Sequence, residues 1–318
     1  MDRAKGLTAA SVSAFFLGLA PVFGRQAILI GMEPLAVVAL RTALAALLLF
    51  VVMAIINRKY LYIYPAGMLG CFLAGGINGL GSLLFYGSLA RIDASLGQLL
   101  NSMYPVFLAL WMALDHQPPT RLTTFRIGLS IPAVYLLTQT PNPNFDWIGI
   151  LMMLGAAALY ALHLPINQRV LQDMPAPTVT LYTLIAMSAI VVPAFLFFGS
   201  PMALGDVAQG AWVPVVGLTL ATFFSRLLLF AGVKHLGEMQ TAIIGLAELL
   251  VTLFIAYLLL GERLSPQQWA GAIVLASSIL LVGLEKRPPP RRRMGGWLHW
   301  ITPPAPVSLA DLDLPSKR

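Results

Sequence analysis

Charge is what this sequence lacks. Of 318 residues only 10% are Asp, Glu, Lys or Arg, 13 of them acidic and 20 basic. A soluble domain carries about 25%, and a chain of this length could not cover a water-facing surface with so few. That excludes a soluble globular protein and leaves a polytopic membrane protein. Cysteine is nearly absent. The one residue, Cys71, sits in an apolar run; an internal disulfide and a cysteine-cluster metal site are excluded, and inert packing suits it. The apolar runs hold no His-x-x-x-His pair and no cluster of carboxylates. They offer neither metal ligands nor a nucleophile–base set for an intramembrane enzyme, and no metal or cofactor is expected. Gly75, Gly76, Gly79 and Gly81 are followed by no Lys-Ser/Thr pair. They form no phosphate loop and permit close helix approach instead.

What the chain has is apolar length, with 58% hydrophobic residues. A span needs about 20 of them. Ten such runs are present: 7–30, 34–56, 66–89, 94–114, 122–138, 147–168, 178–198, 211–233, 239–260 and 267–284. Each is predicted to be a helix, because backbone groups cannot stay unpaired in hydrocarbon. The first run is too long for the apolar part of a signal peptide. Short connections such as GMEP, ARID, TPNPNFD and GERLSP carry the turn formers. With a cytoplasmic N-terminus, the inside segments hold Arg3, Lys5, Arg58, Lys59, Arg121, Arg169, Lys234 and the basic tail. The outside loops hold only Arg91 and Arg263. This asymmetry puts both termini inside. The net charge of +7 does not indicate nucleic acid, because Lys286, Arg287, Arg291, Arg292 and Arg293 gather in one stretch and the other basic residues mostly flank apolar runs. Residues 286–318 are Pro-rich without a helical period and are expected to be a disordered cytoplasmic tail. Beside its arginines, Trp297 and Trp300 would suit contact with membrane lipids.

The two halves resemble each other. A shift of 144 residues lays AFFLGLAPVFGRQ (14–26) on ALYALHLPINQRV (158–170), putting Pro21 on Pro165 and Arg25 on Arg169. The same shift lays LLFYGSLARI (83–92) on LLLFAGVKHL (227–236) and Tyr104 on Glu248. A five-helix unit written twice must enter the membrane from opposite sides, because five is odd. The expected fold is therefore an all-α membrane protein of two inverted five-helix repeats, 7–138 and 147–285, the architecture of alternating access. Arg25 and Arg169 would be mirror equivalents near opposite interfaces, where long side chains snorkel.

These features resemble the drug/metabolite transporter superfamily, in particular the ten-helix EamA-type proteins. The residues that carry the resemblance are Leu40 and Arg41 in the second run, FYGSLARIDASLGQLLNSMYPVF (85–107), and AELLVTLFIAYLLLGERLSPQQWAGAIVL (247–275). Leu249 stands where the family usually has Pro, and Tyr104 stands in the first copy where the second has Glu248. The resemblance implies a multi-pass carrier of the bacterial inner membrane, usually an exporter of metabolites such as amino acids, without an ATP-binding part.

Candidate site residues follow from polarity within the spans. Glu248 is preceded by nine uncharged residues and followed by twelve. An ionisable group at such depth costs about 2.5–3.5 kcal/mol on insertion scales and marks function by default. Arg41 and Arg226 are placed similarly, as is His163, a candidate proton carrier. Candidate cavity groups are Asn78, Tyr86, Gln98, Asn101, Ser102 and Tyr104 in the first copy, and Tyr160, His163, Asn167, Gln168 and Ser225 in the second. Gln98, Asn101 and Ser102 share a helix face. The midpoint of Arg226 and Glu248 falls at 237, in the turn KHLGE. In a hairpin the two lie at equal depth, and an intramembrane charge pair is expected, acting as clasp or gate.

The leading function is a secondary transporter of small organic solutes, working as monomer or dimer. A multidrug or nucleotide-sugar carrier is the alternative, the latter requiring several cationic groups at the cavity. A channel gives no reason for inverted repeats bearing a buried carboxylate.

Overall fold

The computed structural model describes residues 2–114, 146–171, 174–199, 212–236 and 247–281, and short runs or single positions at 125, 128–129, 131–133, 135–136, 210, 241 and 244–245. The fifth expected span is described only at such positions, all of them helical. The expected tail, 286–318, lies outside the described residues.

The helices are α1 (Asp2–Leu29), α2 (Pro34–Ile56), α3 (Pro65–Leu89), α4 (Ala94–Asn101), α5 (Tyr104–Leu114), α6 (Trp147–Leu171), α7 (Ala176–Phe198), α8 (Trp212–Leu236), α9 (Ala247–Leu260) and α10 (Pro266–Leu280). Pro34, Pro65 and Pro266 open their helices, where the missing N–H has no partner to lose. Among the described residues α1, α2, α3, α6, α7 and α8 are long and apolar enough to cross a membrane. Their outer faces carry large apolar side chains that water would not tolerate in such number. Phe197 and Phe198 are each 82% exposed, and Ile55 is 79% exposed. Such surface fits a lipid solvent, and the chain is a multi-pass membrane protein.

The fourth expected span, 94–114, is not one helix. It breaks at Ser102 and Met103 into α4 and α5. The cause is Pro105, which lacks an N–H to donate to Asn101 and whose ring crowds that carbonyl, so the helix cannot run through it unbroken. Ser102 ends α4 in a tightened turn, with Met103 N bonded to Leu100 O at 3.1 Å.

The halves interleave. α1 packs chiefly against α8, α3 against α6, α2 against α7 and α8, and α3 against α7. Exchanging the halves maps α1–α8 onto α6–α3 and α2–α8 onto α7–α3. One buried apolar cluster draws Ala27, Val37, Leu89 and Leu99 from the first half and Met153, Val191 and Leu218 from the second. Backbone carbonyls are bonded across the halves: Ser13 Oγ donates to Ser225 O at 2.9 Å, and Trp111 Nε1 to Ala158 O at 3.0 Å. Backbones approach closely at Gly75, where a Cβ would stand 2.5 Å from Thr183 O.

Arg25 does not simply reach an interface. It donates to Leu89 O and lies 3.6 Å from Asp93, tying α1 to the α3–α4 turn. Nearby, Arg91 pairs with Asp146 at 2.8 Å, and Asp146 accepts from Gly149 N at 3.0 Å. The Arg91 guanidinium and the Gly149 N–H hold the Asp146 carboxyl below the usual carboxylate range.

Candidate binding cavity

A polar cavity opens where α1, α2, α3, α4, α6, α8 and α9 meet. Its empty volume is about 600 Å³, counting the open mouth. Pro21 contributes to its wall from inside α1, and so does Leu17. Pro21 cannot donate to the Leu17 carbonyl, so the backbone here keeps an acceptor to offer.

Glu248 reaches the wall because α9 lies close on α1. A Cβ on Gly18 would stand 2.6 Å from Glu248 O, so only glycine admits this approach. One turn on, Thr252 Oγ1 donates to Gly18 O at 2.7 Å. The side chain of Gln98, from the half-helix α4, faces the Glu248 carboxyl.

Arg41 enters from α2. It donates to Ser82 Oγ at 3.1 Å and Thr222 Oγ1 at 3.3 Å, and its guanidinium lies 4.5 Å above the centroid of the Tyr86 ring. Arg226 enters from α8, 5.3 Å over the Tyr160 ring. Cation–π contact contributes about 0.5–2 kcal/mol, more when desolvated, and offsets part of the cost of burying each cation. The two guanidiniums are near enough to repel one another.

Of the residues expected at a site, Asn78, Tyr86, Gln98, Asn101, Tyr160, Ser225, Arg226 and Glu248 line this cavity, as does Arg41. Asn78 also bonds Met187 Sδ at 3.2 Å across the halves. Tyr104, His163, Asn167 and Ser102 are not among its lining residues. Tyr104 packs edge-on against Tyr160, with centroids 5.1 Å apart. His163 is fully buried, bonds the Tyr160 carbonyl through Nδ1 and packs against the Tyr160 ring. Asn167 accepts from Thr183 Oγ1 at 3.1 Å. Ser102 turns its hydroxyl back to Gln98 O at 2.7 Å.

The expected direct pair of Arg226 with Glu248 does not form: the ion pairs among the described residues are Arg25–Asp93 and Arg91–Asp146. Both groups face the cavity, but Arg226 stands on Tyr160 and Glu248 faces Gln98. Equal depth fixed only their height; helix rotation set their partners. Pro21, Ser82, Phe85 and Thr222 were missed as wall residues. Ser82 and Thr222 lie four residues before Tyr86 and Arg226, the one available sequence signal of a shared face.

Helices built around a mid-chain polar cavity, with an apolar outer surface, define a membrane carrier of solutes. The EamA-like transporter family model matches residues 4–139 and again 147–284. The chain belongs to the EamA-like transporter family, within the drug/metabolite transporter superfamily. It is 24% identical over 202 residues to an "Uncharacterized transporter" of Archaeoglobus fulgidus, spanning 63% of this chain and 71% of that one. It is 22% identical over 209 residues to the "Uncharacterized inner membrane transporter YicL" of Salmonella typhimurium, covering 64% and 69%. "UDP-URONIC ACID TRANSPORTER 1" of Arabidopsis thaliana is 22% identical over 209 residues, covering 63% and 68%. A solved crystal structure shares the fold, with a TM-score of 0.62 at 13% identity over 87% of this chain and 96% of that one.

Proposed function

We propose that this transporter is a secondary active carrier that exports small organic metabolites, amino acids among them, across the bacterial inner membrane by alternating access. The carrying observation is a cavity walled by both halves into which Arg41, Arg226 and Glu248 all face. Substrate held there would be released to either side as the halves rock. The architecture we propose is ten helices in two inverted repeats with both termini cytoplasmic. The exchange of helix contacts between the halves and the twofold family match support it. A nucleotide-sugar carrier is the second reading. It is favoured by the two guanidiniums at the cavity and by the likeness to the UDP-uronic acid transporter of Arabidopsis thaliana.

Counterflow into proteoliposomes separates these readings. Preloaded vesicles should accumulate labelled amino acid when the inside holds the same amino acid, and Asn101→Ala should slow this more than it lowers the melting temperature. Exchange of UDP-sugars with no exchange of amino acids would establish the second reading. Absence of exchange for every solute class would refute transport through this cavity.

A further inference from the structure

The charges of the cavity do not balance. Arg41, Arg226 and Glu248 are all deeply buried, at 5%, 7% and 4% exposure. Neither arginine has a carboxylate within 4.0 Å among the described residues. Each also keeps an N–H group without an acceptor: Nε of Arg41 and Nη1 of Arg226. The partners they have are Ser82, Thr222 and the faces of Tyr86 and Tyr160. Those supply dipoles and ring electrons, not negative charge. Among the described residues, two mutually repelling cations therefore face a single carboxylate. A buried cation without a counter-charge is strongly disfavoured, and a guanidinium binds planar anions through paired N–H groups. An anion entering the cavity would relieve the repulsion and use the idle donors.

We infer that the cargo is a small organic anion carrying two negative groups, carboxylate or phosphate, one set against each of Arg41 and Arg226, with its body against Tyr86, Tyr160 and Phe85; an amino acid with a single carboxylate leaves one guanidinium uncompensated. This deepens the proposed function and rests on it only in taking the bound molecule as cargo. An ammonium group on the same molecule would face Glu248. An acidic amino acid then answers the site charge for charge, whereas a sugar nucleotide engages the arginines alone.

The test is ligand-induced thermal stabilisation of the full-length purified protein at low salt, since binding to the folded state raises its melting temperature. The probes are L-glutamate, UDP-glucuronate, L-leucine and L-lysine. Glutamate or UDP-glucuronate should raise the melting temperature, and leucine and lysine should not. Arg226→Gln should weaken anion binding about tenfold or more, the loss of one charged hydrogen-bond donor, and Arg226→Lys should recover part of it. Arg41→Gln loosens Ser82 and Thr222 as well, so Arg226 carries the test if that variant fails to fold. Glu248→Gln should weaken glutamate and spare UDP-glucuronate, which separates the two anion sources. Equal stabilisation by leucine and lysine, no stabilisation by either anion, or unaltered anion binding by Arg226→Gln each overturns the inference. Anion binding without exchange of any solute in proteoliposomes would leave the anion site standing and refute the transport reading.

Discussion

Removing the carboxylate of Glu262 should loosen the joint between the two halves. Glu262 follows Gly261, whose positive φ of 69° lets the chain turn sharply after α9. Its Oε1 accepts from Ala94 N at 3.0 Å, and its Oε2 accepts from Ser95 N at 2.8 Å and Ser95 Oγ at 2.6 Å. Ala94 and Ser95 open α4, whose own N-cap residue, Asp93, makes no side-chain cap. A carboxylate 168 positions away in sequence therefore caps this helix and meets its dipole. α4 also carries Gln98 and Asn101 into the cavity wall, so the cap holds one wall of the site. Loss of an N-cap costs about 0.5–2 kcal/mol, and a charge-assisted bond contributes about 1.5–3 kcal/mol where fully buried. Glu262 is only partly buried, so Glu262→Ala should cost about 2 kcal/mol, roughly a 30-fold shift in the equilibrium that keeps α4 docked. Glu262→Gln keeps an acceptor and should cost about half as much. Two readouts apply: thermal unfolding, and the rate at which a membrane-impermeant maleimide labels Asn101→Cys, the native Cys71 being fully buried. Ser95→Ala combined with Glu262→Ala should be less than additive, since the two share a bond. Labelling and melting temperature that stay at wild-type values in Glu262→Ala would refute this reasoning.

Gly75→Val should destabilise the protein by about 1–3 kcal/mol through overpacking, because a Cβ there meets Ala186 and Thr183 at 2.5 Å; Gly76→Val, with nothing within 4 Å, should be nearly silent in the same melts. The Asp146 contribution has a defined pH sign. Its carboxyl is held below the usual range by Arg91 and the Gly149 N–H, so its stabilisation is complete above the ordinary carboxylate value of about 3.9 and is lost as pH falls through the lower folded value. Wild type and Asp146→Asn should differ in melting temperature at neutral pH and converge under acid; a constant gap would count against the ion pair. Reporter fusions at Lys286 and Asn142 should lie on opposite sides of the membrane, and the same side for both would sink the ten-helix topology.

Membrane residence was legible because it is a one-dimensional property. Hydrocarbon leaves no backbone group unpaired and tolerates few charges, so apolar runs and their Lys/Arg-bearing turns stand out residue by residue. Glu248 was visible for the same reason, as a lone acid in an uncharged run, and so was the Pro21–Pro165 correspondence of the two halves. Partnerships around the helix axes were not legible. Sequence spacing gave the depth of Arg226 and Glu248, but whether they touch depends on the rotation of α8 and α9. The seat of α9 on Gly18 of α1 turns Glu248 toward Gln98, and Tyr160 holds Arg226. The break of the fourth span at Ser102–Met103 had a local signal in Pro105; the Glu262 cap on α4 had none, because its partners come together only when the halves pack. Tertiary packing also decided that Arg41 on α2, six helices before Arg226 on α8, shares its cavity. An apolar pattern records which side chains avoid water, whereas charge balance at a site depends on which helices meet, and that is set by the close fit of glycines, prolines and rings between them.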